Sequence, residues 1–326
     1  MSFEDLADRA AKIAAGDRRA LARAITLVES GRADHREEAL ALLDHLGTAK
    51  QALRIGLSGT PGVGKSTFIE TFGLMLTGLG KKVAVLAVDP SSARSGGSIL
   101  GDKTRMDFLA RDPNAFIRPS PSQAQLGGVA RRTREAISLC EAAGYDVILI
   151  ETVGVGQSET MVAMMSDLFV LLLAPAGGDE LQGVKRGIME IADMILVNKA
   201  DGELKSQATR TCADYTGALR LLRKRPQDPD DFPLARTISA LEAEGIATAW
   251  DDMHRLATWR KDAGIWDSTR ATQARHWFHE EVHAQLMAQL TADADLRDRL
   301  TTLEAAVSDG KLSPAAAAVQ ATNPKP

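Results

Sequence analysis

Between Leu53 and Leu76 an apolar run, Leu53–Ser58, leads through Gly59-Thr60-Pro61-Gly62-Val63-Gly64-Lys65-Ser66 into a stretch where Phe68, Phe72 and Leu76 recur at helical spacing. The middle piece fits G-x-x-x-x-G-K-[ST], and its setting, after a strand and opening a helix, is the one that motif requires. Glycines at these positions let consecutive backbone N–H groups converge on a polyphosphate, and the helix start adds the positive end of its dipole. Lys65 then reaches the β- and γ-phosphates, and the Ser66 hydroxyl is a ligand for Mg²⁺. We assign the cradle to Gly59, Pro61, Gly62, Val63, Gly64, Lys65, Ser66 and Thr67.

From Leu53 to about Leu241 short apolar runs alternate with helical stretches. Strands are predicted at Leu53–Ser58, Val83–Val88, Val147–Ile150, Leu168–Leu173, Met194–Val197 and Leu234–Ile238. Several are apolar nearly throughout, as strands covered on both faces must be. The expected fold class is α/β: a P-loop NTPase with a doubly wound, mostly parallel sheet. Before about Gly47 the chain reads helical, with Leu21, Ile25 and Val28 on one face, and after about Gly245 it is helical again. This divides the chain into an N-terminal helical extension, 1–50, a nucleotide-binding domain, 51–262, and a C-terminal helical arm, 263–326, that ends in a disordered tail. In the arm, Leu296, Leu300, Leu303 and Val307 make an apolar stripe that suits either packing on its own domain or a dimer seam.

Asn198-Lys199-Ala200-Asp201 follows the strand Met194–Val197. An aspartate there accepts the N1 and N2 hydrogens of guanine, which adenine cannot offer, and leaving it unpaired costs the wrong base about 1–3 kcal/mol. Ser239-Ala240-Leu241, after the last strand, is where a backbone N–H can hold guanine O6, so the expected nucleotide is GTP or GDP. Glu151 ends the strand that begins near Asp146, beside the Mg²⁺ edge of the cradle, and Gly154 has the spacing to offer its N–H to the γ-phosphate. Val155 stands where the Ras-like arrangement carries a water-positioning glutamine, which predicts slow basal hydrolysis. Two segments dense in glycine and charge, Val88–Met106 and Ala176–Lys185, read as further switches. Asp89 is placed to meet Mg²⁺ or the attacking water, and Gln182 and Lys185 give the second segment its polar ends.

Other classes are disfavoured. Aromatics at 4% and a net charge of -4 leave neither base-stacking surfaces nor an electrostatic footprint for nucleic acid. The basic runs Arg131–Arg134 and Arg220–Arg225 read as solvated faces. Two cysteines, Cys140 and Cys212, are too few for a disulfide framework. No apolar run reaches membrane-span length and no signal core opens the chain, so a cytoplasmic protein without membrane contact is expected. His279-Glu280-Glu281-Val282-His283 is a literal H-E-x-x-H, with Glu304 as a conceivable third ligand, but it lies in an amphipathic helix outside the catalytic core.

The stretches GTPGVGKST, VAVLAVDPSS, GGSILGDKTRM, FIRPSP with LGGVA, ETVGVGQSE, GDELQGVK and NKAD occur in one order between Leu53 and Asp201. In this the chain resembles the MeaB/ArgK family of P-loop GTPases, relatives of the human methylmalonic aciduria type A protein. The resemblance implies the signal-recognition-particle-like class of GTPases and a homodimer held through C-terminal helices. It also implies a chaperone of adenosylcobalamin-dependent methylmalonyl-CoA mutase. It puts Asp89, Asp102 and Glu151 in Mg²⁺ binding and hydrolysis, and Gln182 and Lys185 in a third switch that answers to the mutase. Four alternatives stay open: another acyl-CoA mutase as client, nickel insertion, a transport-protein kinase, and a nucleotide-gated scaffold with negligible hydrolysis. Nickel insertion lacks a Cys/His motif here, and a kinase using ATP is opposed by NKAD.

Overall fold

Leu168–Leu173 reads Leu-Phe-Val-Leu-Leu-Leu, and every one of its residues is buried, as a strand with helices on both faces demands. It belongs to a seven-stranded sheet in a computed structural model that describes residues 3–47, 50–88, 106–119, 126–152, 158–175, 186–222, 225 and 228–322. The strands are β1 (Leu53–Ser58), β2 (Val83–Val88), β3 (Ala115–Arg118), β4 (Val147–Thr152), β5 (Leu168–Leu173), β6 (Met194–Val197) and β7 (Leu234–Thr237). Their order is β3-β2-β4-β1-β5-β6-β7, and every pairing is parallel. The chain winds one way from β1 to β2 and the other way through β5 to β7, so the winding reverses at β1. In open parallel sheets the ligand crevice lies beyond the carboxyl ends of the strands at that reversal. The phosphate-cradle sequence leaves β1 at that point.

The helices before the sheet are α1 (Phe3–Ala14), α2 (Arg18–Glu29) and α3 (Ala33–Leu46). Asp17 caps α2 by accepting from Arg19 N and Ala20 N, and Leu21, Ile25 and Val28 turn inward as their spacing predicts. From β1 onward come α4 (Lys65–Gly78), α5 (Asp107–Arg111), α6 (Leu126–Ala142), α7 (Ser158–Ala163), α8 (Arg186–Ile191), α9 (Lys205–Arg220) and α10 (Ile246–Asp262). The helix α4 buries Phe68, Ile69, Phe72 and Leu76 over the sheet, and Trp250 of α10 meets Phe72 edge-on, ring centroids 6.0 Å apart. Fully burying such a side chain contributes about 1.5–3 kcal/mol. Ion pairs Arg118–Glu29 and Arg36–Glu135 tie α2 to β3 and α3 to α6. The last helices are α11 (Ile265–Ala292), α12 (Ala294–Ser308) and α13 (Pro314–Thr322).

The chain divides into two compact units, Met1–Thr269 and Arg270–Pro326. The first contains the sheet and α1 to α10. In the second, the stripe Leu300, Leu303 and Val307 on α12 faces Pro314, Ala317 and Ala321 of α13 across a cavity of about 380 Å³. Among the described residues no helix is long and apolar enough to cross a membrane.

Three features differ from the sequence reading. Strand β3, on the edge beside β2, was not expected, because four residues of Ala-Phe-Ile-Arg carry too short a pattern to announce a strand. Strand β4 runs on to Thr152, and β7 stops at Thr237. Arg225 is not a solvated residue: its guanidinium is largely buried, pairs with Asp193 and donates to the carbonyls of Glu190 and Ala192. The expected tail, 323–326, lies outside the described residues.

Candidate functional site

The loop between β1 and α4 is shaped by two glycines that no other residue replaces without strain. At Gly59 a Cβ would stand 2.4 Å from Leu172 O on β5, because the loop passes directly over that strand end. Gly64 caps α4 in the left-handed region, φ 90° and ψ 31°, and a Cβ there would lie 2.6 Å from Asn198 Nδ2. Lys65 and Ser66 open the helix, and the Lys65 Nζ donates to the carbonyls of Gly59 at 2.6 Å and Thr60 at 3.4 Å. The ammonium is thereby held over the loop whose N–H groups and helix dipole attract phosphate. Ser66 is half-buried, while Pro61 and Thr67 are exposed.

Glu151 sits near the end of β4, between Leu57 of β1 and Ala87 of β2, and is 3% exposed. Next to it a pair that the sequence did not signal joins the two strands: Thr152 Oγ1 donates to Ser58 Oγ at 3.1 Å, both buried. This bond holds the base of the cradle against the strand that carries Glu151, so both leave the sheet side by side. A hydroxyl pair 94 residues apart has no local pattern by which it could be found.

The residues that the sequence assigns to the base form a second cluster, linked to the first by Asn198. Its Nδ2 donates to Val63 O at 2.9 Å, and its Oδ1 accepts from Ala240 N at 2.9 Å. One buried amide thus ties the phosphate cradle to the loop after β7. Ser239 Oγ donates to Asp201 Oδ2 and accepts from Glu242 N, which fixes the orientation of the Asp201 carboxylate. Lys199 has φ 59° and is exposed beside it, and Leu241 is exposed. From α4, Thr71 Oγ1 donates to Ala240 O at 2.7 Å.

Of the residues singled out by sequence, the structure therefore brings Gly59, Gly62, Val63, Gly64, Lys65, Ser66, Glu151, Asn198, Asp201, Ser239 and Ala240 to the carboxyl edge of the sheet. Asp89, Asp102, Gly154, Gln182 and Lys185 lie outside the described residues. Burial pushes the thiols of Cys140 and Cys212 upward, so neither supplies a thiolate near neutral pH. His279 and His283 are exposed on α11, and among the described residues no group of three or more His, Cys, Asp or Glu stands where it would hold a metal ion.

Ser66 and Glu151 are hard oxygen donors of the kind Mg²⁺ takes, and both flank the cradle. The arrangement has an anion cradle at one end, the Asp201 carboxylate at the other, and the buried Glu151 carboxylate on the strand beside the cradle, which suits a nucleoside triphosphate.

A family model described as Methylmalonyl Co-A mutase-associated GTPase MeaB matches residues 21–295. The chain is 51% identical over 308 residues to a putative GTPase of Caulobacter vibrioides, the match covering 94% of each chain. It is 49% identical over 314 residues to the mitochondrial methylmalonic aciduria type A homolog of Mus musculus, across 93% of this chain and 75% of that one. A solved structure described as LAO/AO transport system kinase superposes with a TM-score of 0.77 and 38% identity, over 99% of this chain and 98% of that chain.

Proposed function

The chain belongs to the family of methylmalonyl-CoA mutase-associated GTPases, and on that premise we propose that it is a Mg²⁺-dependent GTPase that serves as chaperone to an adenosylcobalamin-dependent methylmalonyl-CoA mutase. GTP hydrolysis gates delivery of the cofactor and protects or reactivates the mutase. The observation that carries the nucleotide reading is the bridge through Asn198, which makes the phosphate cradle and the guanine-reading loop one hydrogen-bonded unit.

Lys65 binds the β- and γ-phosphates, Asp201 selects guanine, and the buried Glu151 carboxylate orients the water that attacks. Mg²⁺ would be held by Ser66 with Glu151, Asp89 and Asp102, and when bound it neutralises charge on the phosphate oxygens. Gln182 and Lys185 couple hydrolysis to the mutase, which supplies the activation that Val155 cannot.

The protein works as a homodimer. On α11 the residues Phe278, Val282, Leu286 and Leu290 recur every fourth position and are all exposed, with Met287 beside them. A helix this long gains its stability from a covered apolar face, and a second copy offers the matching one. The α12 stripe is the weaker candidate, since it faces α13.

The test is GTP turnover by the purified protein with and without methylmalonyl-CoA mutase from the same source. A slow basal rate that rises severalfold supports the reading; no rise, with no binding, removes the mutase as client. The description of the solved relative favours a second reading, phosphoryl transfer to a transport protein. Radiolabel that moves from γ-labelled GTP to water rather than to protein decides against it.

A further inference from the structure

The loop that would read guanine offers three consecutive amides, Ser239 to Leu241, and two of them are occupied. Ser239 N donates to Glu244 O at 3.0 Å, and Ala240 N donates to Asn198 Oδ1 at 2.9 Å. The next amide, Leu241 N–H, has no hydrogen-bond partner among the described residues, and the Leu241 side chain is 79% exposed. The carbonyl of that same peptide is held from the opposite side, where Thr71 Oγ1 donates to Ala240 O at 2.7 Å.

The Ala240–Leu241 peptide is trans. A trans peptide is planar and carries its C=O and N–H in opposite directions, so holding the carbonyl aims the amide. Ala240 is 2% exposed, which keeps water from competing for the bond. Thr71 stands on α4, the helix that begins with Lys65 and Ser66. The element that carries the phosphate contacts therefore also sets the direction of the one amide in Ser239–Leu241 that remains to meet a base.

We infer that Thr71 is a positioning residue for guanine recognition, acting through Ala240 O to direct Leu241 N–H at the O6 acceptor of the base. Guanine presents an acceptor at that position and adenine a donor, so an amide fixed there discriminates as Asp201 does, at the atom next to the N1–H that Asp201 reads. The inference rests on the guanine reading and adds a residue that belongs to no nucleotide-binding motif.

Thr71→Val keeps the side-chain shape and removes the donor, and Thr71→Ser returns it. The affinities to compare are those for GTP and for 6-thio-GTP, whose sulfur is a weak acceptor, measured on the full chain by displacement of a fluorescent GDP. Thr71→Val should weaken GTP about fivefold, the worth of one neutral hydrogen bond, and 6-thio-GTP less than about twofold. Thr71→Ser should restore the ratio, and in Thr71→Val kcat should stay unchanged while KM for GTP rises. Equal losses for both nucleotides mark a merely structural role and overturn the inference, as does an unaltered affinity for GTP. Should Thr71→Val fail to fold, Thr71→Ala reads the same ratio. A wild-type protein that binds ATP as tightly as GTP refutes the guanine reading itself, whereas selectivity for GTP with an unmoved ratio refutes Thr71 alone.

Discussion

Gly62 and Gly64 flank Val63 in the phosphate cradle with φ of 85° and 90°, so an alanine at either meets the same left-handed strain, about 1–2 kcal/mol. Their surroundings differ. A Cβ on Gly62 would meet nothing within 4 Å, and one on Gly64 would stand 2.6 Å from Asn198 Nδ2. That nitrogen cannot yield freely, because it donates to Val63 O at 2.9 Å while the far side of the same amide accepts from Ala240 N. Asn198 is 2% exposed, so moving it leaves a buried carbonyl unpaired at about 1–3 kcal/mol. Gly62→Ala should thus cost about 1–2 kcal/mol of stability and Gly64→Ala about 2–5 kcal/mol. Equilibrium urea unfolding at a shared m-value measures both. In an Asn198→Ala background the excess at Gly64 should vanish, since the atom it collides with is gone. Costs that agree within about 0.5 kcal/mol, or an excess that persists without Asn198, would refute the argument that this amide is what Gly64 makes room for.

Three further outcomes are expected. Asp201→Asn should lower the preference for GTP over xanthosine triphosphate, because an amide can donate to the xanthine 2-oxo group; an unchanged preference in competition binding would remove Asp201 as base reader. Arg260 is 9% exposed and donates to Asp193, Asp228 and the Asp167 carbonyl, so Arg260→Met leaves buried carboxylates short of a partner. Arg225 still pairs with Asp193, and the expected loss in urea unfolding is about 3 kcal/mol, with a loss below about 1 kcal/mol counting against the cluster. The Asp17 carboxyl is held below its ordinary range by the N–H groups of Ala20 and Arg19, so its ionised form favours the folded state. That contribution is whole above the ordinary carboxylate range and is lost as pH falls through the lowered pKa. Asp17→Ala should therefore melt below wild type near about pH 7, and the gap should narrow as pH falls through the lowered pKa; a gap independent of pH would exclude the charged cap.

The parts of this protein legible in its sequence are those whose chemistry is carried by neighbouring residues. The cradle could be read because its glycines, lysine and serine stand side by side between a strand and a helix. Strands such as β4 and β5 could be read because a segment covered on both faces must be apolar along its length. Asn198 and Asp201 were found as part of a contiguous motif, although nothing in that motif told that Asn198 reaches back to Val63. Strand β3 escaped notice because four residues on a sheet edge carry little pattern of their own. The α12 stripe was visible, yet only the structure assigned its face to α13 and left the apolar face of α11 exposed. Thr152 with Ser58, Thr71 with Ala240, and Arg225 and Arg260 with Asp193 lie 94, 169, 32 and 67 residues apart. Periodicity records which face of an element is buried, whereas a hydrogen bond between distant loops depends on which strand ends the topology sets side by side. Sequence alone determined the cradle, the class of sheet and the nucleotide; tertiary structure alone decided how cradle and base loop are fastened into one site, because the groups that fasten them meet only after the chain has wound both ways from β1.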